Sequence, residues 1–406
     1  MRRIAGPFLI ALLAVLVVPP TAGASPRTVE VQLLGINDFH GHLESTTPGT
    51  IRETATSTPV PAGGIEFLAT HVRRMEAAAE HSLLVSAGDL IGASPLLSAL
   101  FHDEPTIEGM NQLGLDLNAV GNHEFDEGAT ELLRMQEGGC HPVDGCQDGD
   151  RFAGADFRFL AANVVHEDTG ETLFPPYAIR RFGGIKVGFI GMTLEGTPDI
   201  VSQSGIQGLE FLDEADTANR YAEELRRNHG VRAIVVLLHE GGAQTPPFGI
   251  DDCNGISGPI VDIVHRTTEA VDVFVTGHTH QPYRCVIDGR PVTSASSFGR
   301  LVTDIDMTLS VRTRDVVEVR TDNVVITQTV ERAPDMSALI AEYDRFAAPL
   351  RDRVIGRISA DITRTADDSG EHAAGNLIAD AQLAETTGAG AVAAFMNPGG
   401  VRADFL

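Results

Sequence analysis

Five separated stretches of this chain share one design: a short apolar run that reads as a β-strand stops abruptly at Asp, His or Asn. Asn37-Asp38-Phe39-His40 follows 29–36, Gly88-Asp89 follows 82–87, and Gly121-Asn122-His123-Glu124-Phe125-Asp126 follows 117–120. His239-Glu240 ends the run 231–238, and Gly277-His278-Thr279-His280 ends 271–276. Near-continuous apolar strands belong to parallel sheets covered on both faces, and such sheets bind ligands at their carboxyl ends. Between the runs the spacing of Ile65, Leu68, Ala69, Val72 and Met75 predicts a helix over 64–81, with further helices over 106–114, 213–229 and 260–268. Strand and helix therefore alternate as βαβ units, and the fold class is α/β. Gly183-Gly184 is expected to join strands 177–182 and 185–190 as a hairpin, and 157–164 to form another strand.

The chemistry at the strand ends is as constrained as the fold. Asp38, His40, Asp89, Asn122, His239, His278 and His280 supply three oxygen-bearing and four imidazole side chains. Asp38 and His40 are two apart, so an extended backbone turns both to one side. A tetrahedral site takes about four ligands, so this set suits two divalent ions with one bridging carboxylate. Mixed carboxylate and imidazole ligation favours zinc, manganese or iron over calcium. Taken singly each residue is unremarked: Gly88-Asp89 reads as a turn, and a lone strand-end histidine as a hydrogen-bonded surface group. The repetition at five strand ends carries the metal reading.

Composition limits the partners. At 406 residues the chain exceeds one ordinary hydrophobic core, so two domains are expected. Its 30 basic and 56 acidic residues give a net charge of -26, which opposes binding to nucleic-acid polymers and anionic membranes. A small anionic substrate must then meet a locally positive site, which bound cations and placed arginines supply. Met1-Arg2-Arg3, the apolar run 7–18, and Thr21-Ala22-Gly23-Ala24 have the order of a secretory signal over 1–24. That places the mature chain outside the cell or in the envelope or periplasm, with no membrane association after cleavage. The four cysteines suit disulfides in that compartment. Of three possible pairings, Cys140 with Cys146 closes a small polar loop and leaves Cys253 for Cys285; a structural zinc site is the competing reading.

A first domain is expected over 28–330, a linker helix over 331–355 opened by Ala333-Pro334-Asp335, and an α/β unit over 356–406. That last unit, with a helix at 375–386 and a strand at 391–395, is shorter than a usual domain and reads as an incomplete one. No motif bears on oligomeric state.

In this order, the motifs around Asp38, Asp89, Asn122, His239 and His278 resemble those of the calcineurin-like metallophosphoesterases, specifically the secreted 5′-nucleotidase family, over residues 29–406. The resemblance implies a four-layer αββα metallophosphoesterase domain, a joining helix and a C-terminal nucleotide-binding domain. It implies that Asp38, His40, Asp89 and His280 hold one metal and that Asp89, Asn122, His239 and His278 hold the other. The His280 position is Gln in some relatives. His123 would stabilise the transition state or protonate the leaving alkoxide, oriented by Asp126. Asn397, Gly399, Gly400 and Arg402 resemble the family's nucleotide-contacting segment, where Arg binds the sugar or phosphate side. Gly370 stands before Glu371 where relatives often carry Arg, and the family's base-stacking aromatic pair would lie past Leu406. His42 and Glu44 are expected to lie outside the ligand set or at the surface.

The expected activity is phosphate release from nucleoside 5′-phosphates. UDP-sugar hydrolysis, 2′,3′-cyclic-nucleotide phosphodiesterase with 3′-nucleotidase activity, and sulfur-ester hydrolysis are alternatives on the same scaffold. A non-catalytic binding protein is the alternative from another class.

Overall fold

The computed structural model describes residues 27–406, so the expected leader over 1–24 lies outside the described residues. Two six-stranded sheets form from β1 (Thr28–Ile36), β2 (Ser82–Ser86), β3 (Leu117–Ala119), β4 (Arg158–Leu160), β5 (Tyr177–Phe182), β6 (Ile185–Thr193), β7 (Ala233–His239), β8 (Val273–Thr276), β9 (Pro282–Ile287), β10 (Arg290–Ala295), β11 (Leu301–Ser310) and β12 (Val316–Val325). The first sheet has the order β12-β11-β1-β2-β3-β4 and the second β9-β10-β8-β7-β6-β5. Strands β1 to β4 are parallel, and so are β6, β7, β8 and β10. Antiparallel strands flank these parallel centres. The helices are α1 (Ile65–Glu76), α2 (Leu96–Ala99), α3 (Glu104–Leu113), α4 (Ala129–Glu137), α5 (Glu214–His229), α6 (Pro259–Arg266), α7 (Pro334–Arg351) and α8 (Ala373–Thr386).

The period-two alternation of a strand explains how one apolar run serves two cores. In β7, Ala233, Val235 and Leu237 meet Val31, Leu33 and Val85 of the other sheet. The intervening Ile234, Val236 and Leu238 pack under Leu225 of α5 and Ile260 and Ile263 of α6. On the far face of the first sheet, Leu34, Ile36 and Leu84 lie in one core with Leu68 of α1, Ile107 of α3 and Leu339 of α7. The layers are thus helix, sheet, sheet, helix, the αββα order implied by the resemblance.

Local signals set several element ends. Asp213 accepts a hydrogen bond from Asp216 N at 2.8 Å and so caps α5, and Gly230 stops that helix in a left-handed conformation at φ 63°. Pro334 opens α7, whose Met336, Leu339, Tyr343 and Ala347 form one buried stripe. That stripe packs α7 against α1, α2 and α3.

Two expectations fail. The run 157–164 is not one strand, because Val164–His166 leaves the sheet to pair with Leu209–Phe211. The strand expected at 391–395 does not form: no neighbouring strand bonds its backbone, and Val392 and Phe395 stay exposed. Both expected disulfides, Cys140–Cys146 and Cys253–Cys285, are present.

Candidate metal centre

The loops after β1, β2, β3, β7 and β8 meet at one end of the sheet pair. Asp38 N donates to Gly88 O at 2.9 Å, His40 N to Asp89 O at 3.0 Å, and Phe298 N to Asp38 O at 2.7 Å, so the loops are bonded to one another rather than merely adjacent. Asp38, His40, Asp89, His278 and His280 all have positive φ, between 48° and 70°. Non-glycine residues rarely adopt this region, and such strain collects at functional sites, where the surrounding structure holds it in place. Gly121 permits the closest approach: a Cβ there would lie 2.2 Å from Asp89 Oδ1. At Gly88, where φ is 90°, a Cβ would lie 2.7 Å from His239 Nδ1.

The donors fall into overlapping groups. Asp38, His40 and His280 place donor atoms within 4.8 Å of one another, as do Asp89, His239 and His278. His280 Nε2 lies 3.2 Å from Asp38 Oδ1 and 3.1 Å from His40 Nε2. Asp89 Oδ2 stands between the groups, 2.9 Å from His239 Nε2 and 3.6 Å from His40 Nε2. Asn122 Oδ1 is 3.0 Å from His278 Nδ1. All seven residues expected as ligands are therefore brought together.

The residues fit divalent cations. His40 Nδ1 donates to Gly92 O at 2.8 Å and His239 Nδ1 to Ala87 O at 2.7 Å, which fixes both tautomers with Nε2 free toward the centre. His239 Nε2 is buried without an aligned hydrogen-bond partner despite its closeness to Asp89. Burial pushes the pKa of His40 down to about 3 and that of His278 to about 4, so both are neutral donors at ordinary pH. Burial alone would raise Asp89, but the charge of His239 outweighs it and holds the carboxyl well below its usual range. Neutral His40 and His278 beside an ionised Asp89 are donors in the state a metal needs. At His239 burial is outweighed by the Asp89 charge, which pushes its pKa up to about 10, so that a bound cation would have to displace its proton.

His123 begins a short 3₁₀ turn directly after Asn122. Its Nδ1 lies 2.8 Å from Asp126 Oδ2 and its backbone N donates to Asp89 Oδ1 at 2.9 Å. Burial lowers its pKa, but the Asp126 hydrogen bond and the Asp89 charge more than compensate and leave it raised.

Sequence reasoning missed the role of Glu124. This buried carboxylate accepts from Asp89 N at 2.9 Å, Gly121 N at 2.7 Å, Leu90 N at 2.9 Å and Asn118 Nδ2 at 3.2 Å, joining the β2 and β3 loops. Burial and the neighbouring Asp89 push its pKa up to about 8. No signal in the local sequence pattern marked it.

Of the two places expected for His42, the structure takes the one beside the ligand set: it is buried and stacks on Phe298 with ring centroids 3.9 Å apart, and Phe298 packs on His40 and His280. Of the C-terminal residues, Arg402 lies close enough for its charge to lower the pKa of both His42 and His123, and its Nε is buried without a partner. Asn397 instead caps its own turn, accepting from Gly399 N at 3.1 Å, with Gly399 and Gly400 exposed.

The layering and the strand-end donors define a class, a two-sheet α/β protein built around a divalent-cation centre. A model of the calcineurin-like phosphoesterase family matches residues 31–282, and one of the 5′-nucleotidase C-terminal domain matches residues 354–406. The chain belongs to the calcineurin-like phosphoesterase family. It is 33% identical over 386 residues to endonuclease YhcR of Bacillus subtilis (strain 168), covering 93% of this chain and 30% of that protein. It is 31% identical over 411 residues to cell wall protein Lmo0130 of Listeria monocytogenes, covering 95% of this chain and 51% of the relative. The chain thus spans between 30% and 51% of the length of these two relatives. The crystal structure of a 5′-nucleotidase precursor from Thermus thermophilus superposes with a TM-score of 0.67 at 25% identity, covering 89% of this chain and 68% of that one.

Proposed function

We propose that the chain is an exported phosphohydrolase that releases phosphate from nucleoside 5′-phosphates at a centre of two divalent cations. The observation that carries this reading is the meeting of two donor groups across Asp89. Asp38, His40, Asp89 and His280 would hold one ion, and Asp89, Asn122, His239 and His278 the other. When bound, such ions polarise the phosphoryl group and lower the pKa of water. Asp126 accepts from His123 Nδ1 and favours the protonated imidazolium, whose Nε2–H would pass its proton to the departing alkoxide. Arg402 directs a guanidinium toward the same face, suited to a phosphate or sugar oxygen. Asn397, Gly399 and Gly400 shape the turn that presents it. The domain division at 28–330, 331–355 and 356–406 is part of this reading, with ester hydrolysis in the first unit and nucleotide selection in the last.

Export is supported by the 1–24 leader pattern, the two disulfides and the cell wall relative. A second reading, cleavage of nucleic-acid phosphodiesters, is favoured by the relative named an endonuclease; the net charge of -26 weighs against it.

The test is hydrolysis by the metal-stripped mature chain after Mn, Zn or Mg is restored, read as free phosphate from AMP and an aryl phosphate, as nucleotide products from UDP-glucose and 2′,3′-cyclic AMP, and as fragment length for single-stranded DNA. Turnover of AMP above the others is expected. Turnover of the aryl phosphate alone defeats the nucleotide assignment, and scission of DNA alone installs the second reading. His123→Ala should lower kcat by about 10²–10⁴ with metal content unchanged; loss of metal would make His123 a ligand.

A further inference from the structure

A second gathering of metal-type donors lies outside the strand-end centre. His102, Glu127, Glu131 and His141 each bring one donor atom to within 4.8 Å of the others. They come from separate segments: the turn between α2 and α3, the entry and first turn of α4, and the loop closed by Cys140–Cys146. The His102 and His141 rings stack with centroids 3.7 Å apart and planes inclined by 15°. His102 Nδ1 lies 2.7 Å from Glu127 Oε2 and its Nε2 lies 3.0 Å from Asp144 Oδ2. His141 Nδ1 is 3.5 Å from the same Asp144 oxygen. A metal-bound imidazole commonly gives its second N–H to a carboxylate, and Asp144 stands where it would take the Nε2 proton of His102, while the Asp144 backbone N donates to His141 Nδ1 at 3.1 Å. Glu131 is the most committed donor, because both of its oxygens also accept from Arg134. His102 and Asp103 carry successive left-handed φ values of 52° and 62°, so the turn that presents the imidazole is itself strained.

We propose that His102, Glu127, Glu131 and His141 form an additional divalent-cation site of zinc-like preference, which ties the disulfide loop to the turn carrying Asp126. Two imidazoles with two carboxylates suit zinc, cobalt or manganese rather than calcium. The Glu127 and Asp144 carboxylates flank the two His102 ring nitrogens, so the site carries a negative potential suited to a divalent ion. Glu127 directly follows Asp126, and a cavity of about 200 Å³ is lined by His102, Glu127 and Glu131 together with His123 and Asp126. An ion here stiffens the wall of that cavity without touching the strand-end ligands. The competing account is a hydrogen-bonded network that pins the loop and takes no metal.

The mature chain is stripped with chelator, reloaded with Co²⁺, desalted, and read by elemental analysis and visible absorption. The native chain is expected to keep one more equivalent than His102→Ala/His141→Ala. Asp89→Asn should lose strand-end metal and keep the additional ion, which separates this site from the catalytic reading. Asp144→Asn should weaken it about tenfold to a hundredfold. A double variant that melts like the native chain with the same metal content and spectrum overturns the proposal. Should the double variant not fold, Glu127→Gln replaces it, and unchanged cobalt affinity in that variant overturns the proposal equally.

Discussion

The residues before α7 and those after it are built on opposite terms. In the first region Phe39, Phe125, Phe159, Phe189 and Phe274 are fully buried, and the strand-end loops hang on a sheet pair covered on both outer faces. In 352–406 the buried apolar residues are Ala374 and Val401, while Val354, Ile355, Val392, Phe395 and Leu406 are exposed. The strained backbone of the donor cluster needs the rigid neighbourhood of the first region, because left-handed Asp and His conformations persist only where packing over-determines them. Arg402 approaches that cluster from a segment with little core of its own. The donor cluster sits in the part that is locked by packing, and the proposed substrate contact of Arg402 comes from the part with little core.

The sharpest way to break this contrast is at Asp89. Asp89→Asn is expected to abolish metal retention at the strand-end centre and to reduce phosphate release by at least about 10³-fold, because it removes the carboxylate between both donor groups. Near-native turnover with metal retained would break the shared-ligand arrangement.

The packing half of the contrast is tested by a pair of phenylalanines. Phe189→Ala should cost about 3–5 kcal/mol in denaturant unfolding, and Phe395→Ala about 0.5 kcal/mol or less. Equal costs would mean that 352–406 is as tightly packed as the sheets.

Arg402→Ala should lower kcat/KM for a nucleotide by about tenfold to a hundredfold, the worth of one charge-assisted pair, with metal content unchanged. If turnover of an aryl phosphate falls as far, Arg402 serves the phosphoryl group and not the nucleotide.

The smallest effect sharpens the account of the first region alone. Asp272 accepts from Ile234 N at 2.8 Å, and burial together with the Asp315 charge pushes its pKa up to about 7. Its unfolded value is near 3.8, so between these the folded chain binds the extra proton. Stability from this group is therefore present at about pH 4 and lost as pH rises to about 7. Asp272→Asn should remove that loss and be more stable than the native chain at pH 8, on the order of 1–2 kcal/mol given partial exposure, with no advantage at pH 4. Parallel melting curves at both pH values would refute this assignment.

The sequence displayed the donors because each stands immediately after an apolar run, where strand end and ligand are neighbours in the chain. It displayed the sheets for the same local reason, since a strand covered on both faces must be apolar at every position. It did not display Glu124 as the joint between two loops, His42 beneath Phe298, or the stacking of His102 on His141. Those depend on residues far apart in the chain, and nothing in their local pattern marks them. The expected strand at 391–395 failed for a related reason: an apolar run specifies a willingness to pair, while a strand exists only where a partner backbone is supplied.

The sequence by itself determined the α/β class and the identity of the strand-end donors. Only the tertiary structure decided which donors share Asp89, how Gly88 and Gly121 let two loops close to within contact of it, and where Arg402 comes to rest. Spacing along a chain encodes local geometry, but distance across a site is set by packing between elements that the chain brings together only when it folds.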